Sequence, residues 1–230
     1  MTDMDDQITG TRRAVENFDH PAGPGRTVSL RRTYDAAIDD VWSACTEAER
    51  LGRWFTPVTG DLRLGGHYQL EGNAGGEIVV CEPPRHLKVT WIFGEVEPDA
   101  LSEVELHLSP TDDGGTLLEL EHRASVDPDF WNRFGPGAVG IGWDLGLLGL
   151  AGYLAGTLVR DGAEEDMLAT PEGHDFVERS GETWRVAHEA SGADPDFAKT
   201  AAENTITAYT PEPSSDDAGD DGHSEAPGTS

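Results

Sequence analysis

The sequence predicts an α+β fold in which a run of antiparallel strands is followed by one long apolar helix. Three observations carry this reading. Apolar and polar residues alternate with period two from Thr27 to Tyr34 and again, in several segments, between Asp61 and Ala124, as half-buried strands do. An apolar, glycine-rich stretch runs from Gly137 to Leu154. Two helix-start signals, Thr170-Pro171-Glu172 and Asp194-Pro195-Asp196, then open further helical spans.

The chain has 230 residues, enough for one sizeable domain with additions, and its 37% hydrophobic content with 6 Trp excludes wholesale disorder. Charge is the outlier: 44 acidic residues against 16 basic ones give a formal net charge of −28. A nucleic-acid partner needs a basic surface that displaces counterions, and anionic lipid would repel this chain, so neither nucleic acid nor membrane is an expected partner. Lys88 and Lys199 are the only lysines; the other basic residues are Arg. Either an acidic surface suited to concentrated salt or a GC-rich codon usage gives this composition. Cys45 and Cys81, with no Cys-x-x-Cys spacing, exclude a disulfide framework or a Cys-rich zinc site. The N-terminus, Met1-Thr2-Asp3-Met4-Asp5-Asp6, is acidic where a signal peptide is basic and is followed by no apolar core, so the expected location is the cytoplasm, with both thiols reduced.

Taken in order, residues 1–26 are polar, end in Pro21-Ala22-Gly23-Pro24-Gly25 and read as a flexible lead-in. In the first strand Val28, Leu30, Arg32 and Tyr34 share a face. Asp39 is the expected cap of a helix carrying Trp42 and Cys45, and two short helices run to Trp54-Phe55, stopped by Pro57. Asp61–Leu64 and His67–Leu70 read as a hairpin around Gly65-Gly66; residues 76–81, 86–93, 101–108 and 116–124 read as further strands. The last pair has a determinate register. A three-residue loop, Asp112-Asp113-Gly114, puts Thr111 opposite Gly115. Glu103 then faces Arg123, His107 faces Glu119, and His122 lies opposite Val104, pointing inward.

The 137–154 stretch is long enough to cross a membrane, but Asp144 lies within it, glycine recurs throughout and no basic residue flanks its start. It reads as a buried helix, apolar on two sides, that the sheet covers on one side only. The spans after Thr170 and Asp194 are the expected second cover, a helical hairpin over 161–210; a second subunit is the alternative, so monomer or homodimer is expected. Residues 211–230, acidic and without Lys or Arg, read as a disordered tail.

These residues resemble a known family. Arg32-Thr33-Tyr34-Asp35-Ala36, Val41-Trp42, Thr46, Leu51, Trp54-Phe55 and Pro57, then Arg63-x-Gly65-Gly66-x-Tyr68, Gly76-x-Ile78, Pro83-Pro84-x-x-Leu87 and Thr90-Trp91, are similar to the activator-of-heat-shock-protein-90-ATPase homologues of the START-like (SRPBCC) superfamily. The resemblance covers about residues 27–158 and implies a helix-grip domain over 27–160: a curved antiparallel sheet wrapped around the long C-terminal helix, with a deep pocket between them. It implies a small hydrophobic ligand held there, with no assigned reaction.

From the inward register, the expected cavity residues are Arg32, Trp54, Tyr68, Trp91, Leu106, Leu120, His122, Trp143, Asp144 and Leu147. His122 is the candidate for chemistry, as either an acid/base or a neutral core histidine bonded to a Tyr or Trp. Arg32 either meets an anionic ligand group or pairs with a buried carboxylate, for which Asp144 is the candidate. The alternatives to a binding protein are a polyketide cyclase- or hydratase-like enzyme using His122, with Arg32 orienting an acyl or enolate oxygen, and a co-chaperone-like interaction module. No cofactor is expected, since Gly137-x-x-Gly140-x-Gly142 lacks the lysine and βα context of a phosphate loop. Glu103, Glu105, His107, Glu119 and Glu121 share the outer face and read as a solvated acidic surface, not a metal site.

Overall fold

The alternating segments assemble into one eight-stranded antiparallel sheet. A computed structural model describes residues 4–21, 23–94, 99–158 and 167–210. Helix α1 (Met4–Gly10) precedes strands β1 (Arg12–His20) and β2 (Gly23–Tyr34); α2 (Ile38–Thr46) and α3 (Ala48–Leu51) lead to β3 (Val58–Gly60). Then come β4 (His67–Leu70), β5 (Gly75–Glu82), β6 (His86–Thr90), β7 (Ser102–Pro110) and β8 (Thr116–Ser125). Four helices close the chain: α4 (Pro128–Phe134), α5 (Gly137–Leu154), α6 (Pro171–Ala190) and α7 (Pro195–Tyr209). The strand order is β1-β2-β8-β7-β6-β5-β4-β3.

Because side chains alternate across a strand, cross-strand partners form apolar rows on the inner face. Val28, His122, Val104, Val89 and Ile78 make one row, and Leu30, Leu120, Leu106, Leu87 and Cys81 the next. The β7–β8 hairpin has the expected register: Glu103 pairs with Arg123, His107 with Glu119 and Val104 with His122, and Thr111 N–H donates to Gly115 O at 2.9 Å. Gly114 takes the left-handed conformation that this loop requires (φ +90°).

Two expectations are corrected. Residues 4–20 are not a flexible lead-in: α1 and β1 are built from them, and β1 pairs along its whole length with β2, which itself starts at Gly23. The signal was masked because β1 is an edge strand with mostly exposed polar side chains, Val15 being its only buried apolar residue. The hairpin around Gly65-Gly66 is also displaced: the strand opposite β4 is Val58–Gly60, and 61–66 is a loop. A Cβ on Gly66 would come within 2.0 Å of Asp61 O, so the chain folds too tightly there for a strand. Leu62 and Leu64, whose alternation mimicked a strand, are exposed.

Helix α5 is apolar enough to span a bilayer by length and composition, yet it packs within the protein. Trp143, Leu147 and Leu150 face the sheet, and Gly140, Ile141 and Asp144 are buried on the other side, where α6 packs. Gly140 is required by that contact, since a Cβ there would lie 2.2 Å from Trp184 Cε2. The expected caps of the covering helices are present: Thr170 Oγ1 accepts from Gly173 N–H at 3.0 Å, and Asp194 Oδ1 from Asp196 and Phe197 N–H. Residues 211–230, the expected disordered tail, lie outside the described residues, as do 159–166 at the start of the expected extension.

Candidate functional site

Sheet and helix do not close completely on each other. An inner cavity of about 140 Å³ lies between them, and an outer hollow of about 510 Å³ adjoins it. Trp54, Tyr68, Trp91, Leu106, Leu120, Trp143 and Leu147 line the inner cavity, where the inward register put them. His122 borders the outer hollow.

Among the described residues, the inner wall carries no ionised group. Burial pushes the Cys45 thiol up to about 12, so it stays protonated, and raises the Tyr68 phenol. Several of the wall's polar atoms are already engaged. Tyr68 Oη donates to Thr90 O at 2.8 Å, Trp54 Nε1 to Ala44 O at 2.9 Å and Thr46 Oγ1 to Trp42 O at 2.8 Å. A charge brought here would be stripped of water with nothing to replace it.

Three aromatic side chains border both spaces: Phe55, Trp91 and Trp143. Phe55 lies nearly parallel to Trp143 (14°, centroids 6.4 Å apart), and Trp91 is 5.0 Å from Trp143. They form a partition between the two spaces. Phe55 was legible only as the end of a short helix, and Tyr209 of α7, on the outer hollow, only as one of a helical stripe.

His122 is 8% exposed and meets Trp143 edge-on. Indole Nε1 can only donate, so His122 Nδ1 accepts from it at 3.2 Å and the neutral ring carries its proton on Nε2. Among the described residues, that Nε2 is buried without a partner. Burial lowers the pKa to about 4, so the ring is uncharged at neutral pH.

Arg32 and Asp144 are not in either space, which corrects their assignment to the cavity. Arg32 Nη1 donates to Gln7 Oε1 and Nη2 pairs with Asp6 at 2.7 Å, so α1 occupies it. Asp144, fully buried, pairs instead with Arg13 of β1 (Nη2–Oδ1 2.7 Å) and accepts from Ser180 Oγ at 2.6 Å and Trp184 Nε1 at 3.0 Å. Arg13 lay in the stretch read as flexible, so the sequence offered Arg32 as the only visible partner.

The match to known proteins is consistent with this geometry. The family described as activator of Hsp90 ATPase homolog 1-like protein matches residues 35–155, more than half of the chain. The chain belongs to this family. CalU16 from Micromonospora echinospora is 39% identical in its crystal structure (TM-score 0.61, covering 78% of this chain and 98% of that one). Its solution structure gives 41% identity, TM-score 0.64 and coverage of 79% and 96%. A conserved protein from Enterococcus faecalis, EF2215, shares the fold at 17% identity (TM-score 0.51, 78% of this chain and 91% of that one). No curated protein matches the chain in sequence. The chain thus has the helix-grip architecture, with the α6–α7 hairpin laid on α5.

Proposed function

We propose that this family member binds a small hydrophobic molecule between the sheet and α5, acting in the cytoplasm as a monomer or homodimer. The observation that carries the reading is the inner cavity, lined among the described residues almost wholly by apolar side chains, with Trp54 Nε1 and Tyr68 Oη already bonded within the protein. Its volume is close to that of an engineered apolar cavity of about 150 Å³ that admits benzene. The outer hollow, at about 510 Å³, falls in the range of small-molecule sites and adds Asn73, Ser102, His122 and Tyr209 to its border. The ligand is therefore one whose apolar end enters past the aromatic partition and whose polar end stays outside. The homodimer is supported by a structural neighbour from Colwellia psychrerythraea, 17% identical (TM-score 0.50, covering 58% of this chain and 98% of that one), which is described as an Aha1 dimer.

Titration with 1-anilinonaphthalene-8-sulfonate, an aromatic probe with one charged end, tests the reading. Saturable one-to-one binding with quenching of tryptophan emission is expected, weakened at least tenfold by Leu106→Trp, which fills the cavity. No saturable binding, or equal binding by the filled variant, overturns it.

An enzyme of the cyclase or hydratase kind is a second reading, favoured by the unpartnered Nε2 of His122 beside the outer hollow. In the tautomer set by Trp143 that nitrogen donates a hydrogen bond to a substrate oxygen; a role as base requires the proton to leave Nε2 first. The expected second member, Arg32, is held by α1, which weakens this reading. A co-chaperone-like role has only the family description behind it.

A further inference from the structure

We propose that His86, Glu105 and His107 bind a divalent transition-metal ion of the zinc class on the outer face of the sheet. The site is separate from the cavity, and its failure would leave the ligand reading untouched.

The arrangement follows from strand pairing. His86 of β6 lies directly opposite His107 of β7, and Glu105, two residues earlier on β7, projects from the same face. The imidazoles stack with centroids 4.2 Å apart and planes inclined by 19°. Both rings turn their Nε2 atoms toward one carboxylate oxygen: Glu105 Oε1 is 2.6 Å from His86 Nε2 and 3.1 Å from His107 Nε2. The three residues' donor atoms all lie within 4.8 Å of one another. Tetrahedral zinc, with bonds of about 2.0–2.1 Å to nitrogen and oxygen, places its donors about 3.3 Å apart. Small side-chain rotations bridge that difference.

Neighbouring groups orient the donors. Lys88 Nζ lies 2.8 Å from Glu103 and 3.7 Å from Glu105 Oε2, leaving Oε1 directed at the histidines. Glu82 Oε2 is 3.7 Å from His86 Nδ1, where a small shift would make it the carboxylate that orients a ligating imidazole. To bind an ion at Nε2 each neutral imidazole carries its proton on Nδ1, and the Nδ1 of His86 is the atom that lies near Glu82. The chain's net charge of −28 concentrates cations at its surface. Two imidazoles and one carboxylate are borderline donors suited to zinc, and the exposure of His107 leaves the remaining position open to water. The pattern escapes a reading along the chain because His86 belongs to a different strand from Glu105 and His107.

The test is calorimetric titration of the untagged full chain with zinc chloride in a non-chelating buffer at pH 7.5. One ion per chain is expected, with affinity reduced at least tenfold in His86→Ala and in His107→Ala and unchanged in His67→Ala, an exposed histidine on β4. All three substitutions are at the solvent-facing surface, and unchanged circular dichroism verifies that each variant is folded. Cobalt(II) offers a second readout: visible absorption of a low-coordinate ion is expected in the wild-type chain and lost in the His86→Ala/His107→Ala double variant. Absence of saturable binding by the wild-type chain, or equal zinc affinity in the double variant, overturns the proposal.

Discussion

Residue environments, more than residue types, decide what this protein can do. His122 sits among Val28, Val104, Trp91 and Trp143 with one nitrogen bonded and one not. Its folded-state pKa of about 4 lies below the ordinary value of 6.5, so the unfolded chain binds the proton more readily. The contribution of this group to stability is complete above pH 6.5 and is lost as pH falls from 6.5 toward 4. His188, also lowered by burial, acts in the same direction. Nuclear magnetic resonance titration of the His122 ring is expected to give a midpoint near 4; a midpoint near 6.5 would mean that the ring is hydrated. The same site shows what a sequence can and cannot reveal. Tyr68, Trp91, Leu106 and Leu120 were legible as cavity wall because strand register alone puts them inward. Arg32 was not legible, because its inward position is common to a ligand clamp and to the partner of a helix that the sequence did not announce.

At the scale of elements, α5 is held from both sides by unlike means. Toward the sheet it leaves a cavity; on the other side it makes close contact with α6 and, through Asp144, a buried ion pair with Arg13 of β1. Adding a methyl group at Gly140 forces Trp184 to move, and overpacking of this kind costs about 1–3 kcal/mol. Gly140→Ala is therefore expected to lower the urea midpoint clearly, whereas Gly146→Ala, whose Cβ would sit 3.6 Å from Phe55, is expected to change it little. Asp144→Ala strands the buried Arg13 guanidinium and is expected to cost about 3–5 kcal/mol in the same measurement. Parity of these variants with the parent would show that α5 and α6 are not packed as described. Element legibility varied for a physical reason. The β7–β8 hairpin has strict alternation and a three-residue loop with glycine at the left-handed position, and these specify one register. The β3–β4 hairpin has false alternation at Leu62 and Leu64, and β1 is an edge strand with too little apolar surface to stand out.

For the whole molecule, acidity and cavity set the behaviour. Self-repulsion from a net charge of −28 opposes the compact state, and salt screens it, the screening length falling from roughly 30 Å at 0.01 M to 3 Å at 1 M. The thermal midpoint is expected to rise across that range; a flat or falling midpoint would show that the carboxylates are spaced too widely for their repulsion to matter. The central claim concerns the space between sheet and helix. Nuclear Overhauser contacts between added naphthalene and the isotope-labelled chain test it most directly. Cross-peaks from the naphthalene protons to the indole of Trp143, to Leu106 and to Leu147 are the expected result; contacts confined to surface side chains such as Phe130 and Val186, with none to the inner wall, would contradict the account.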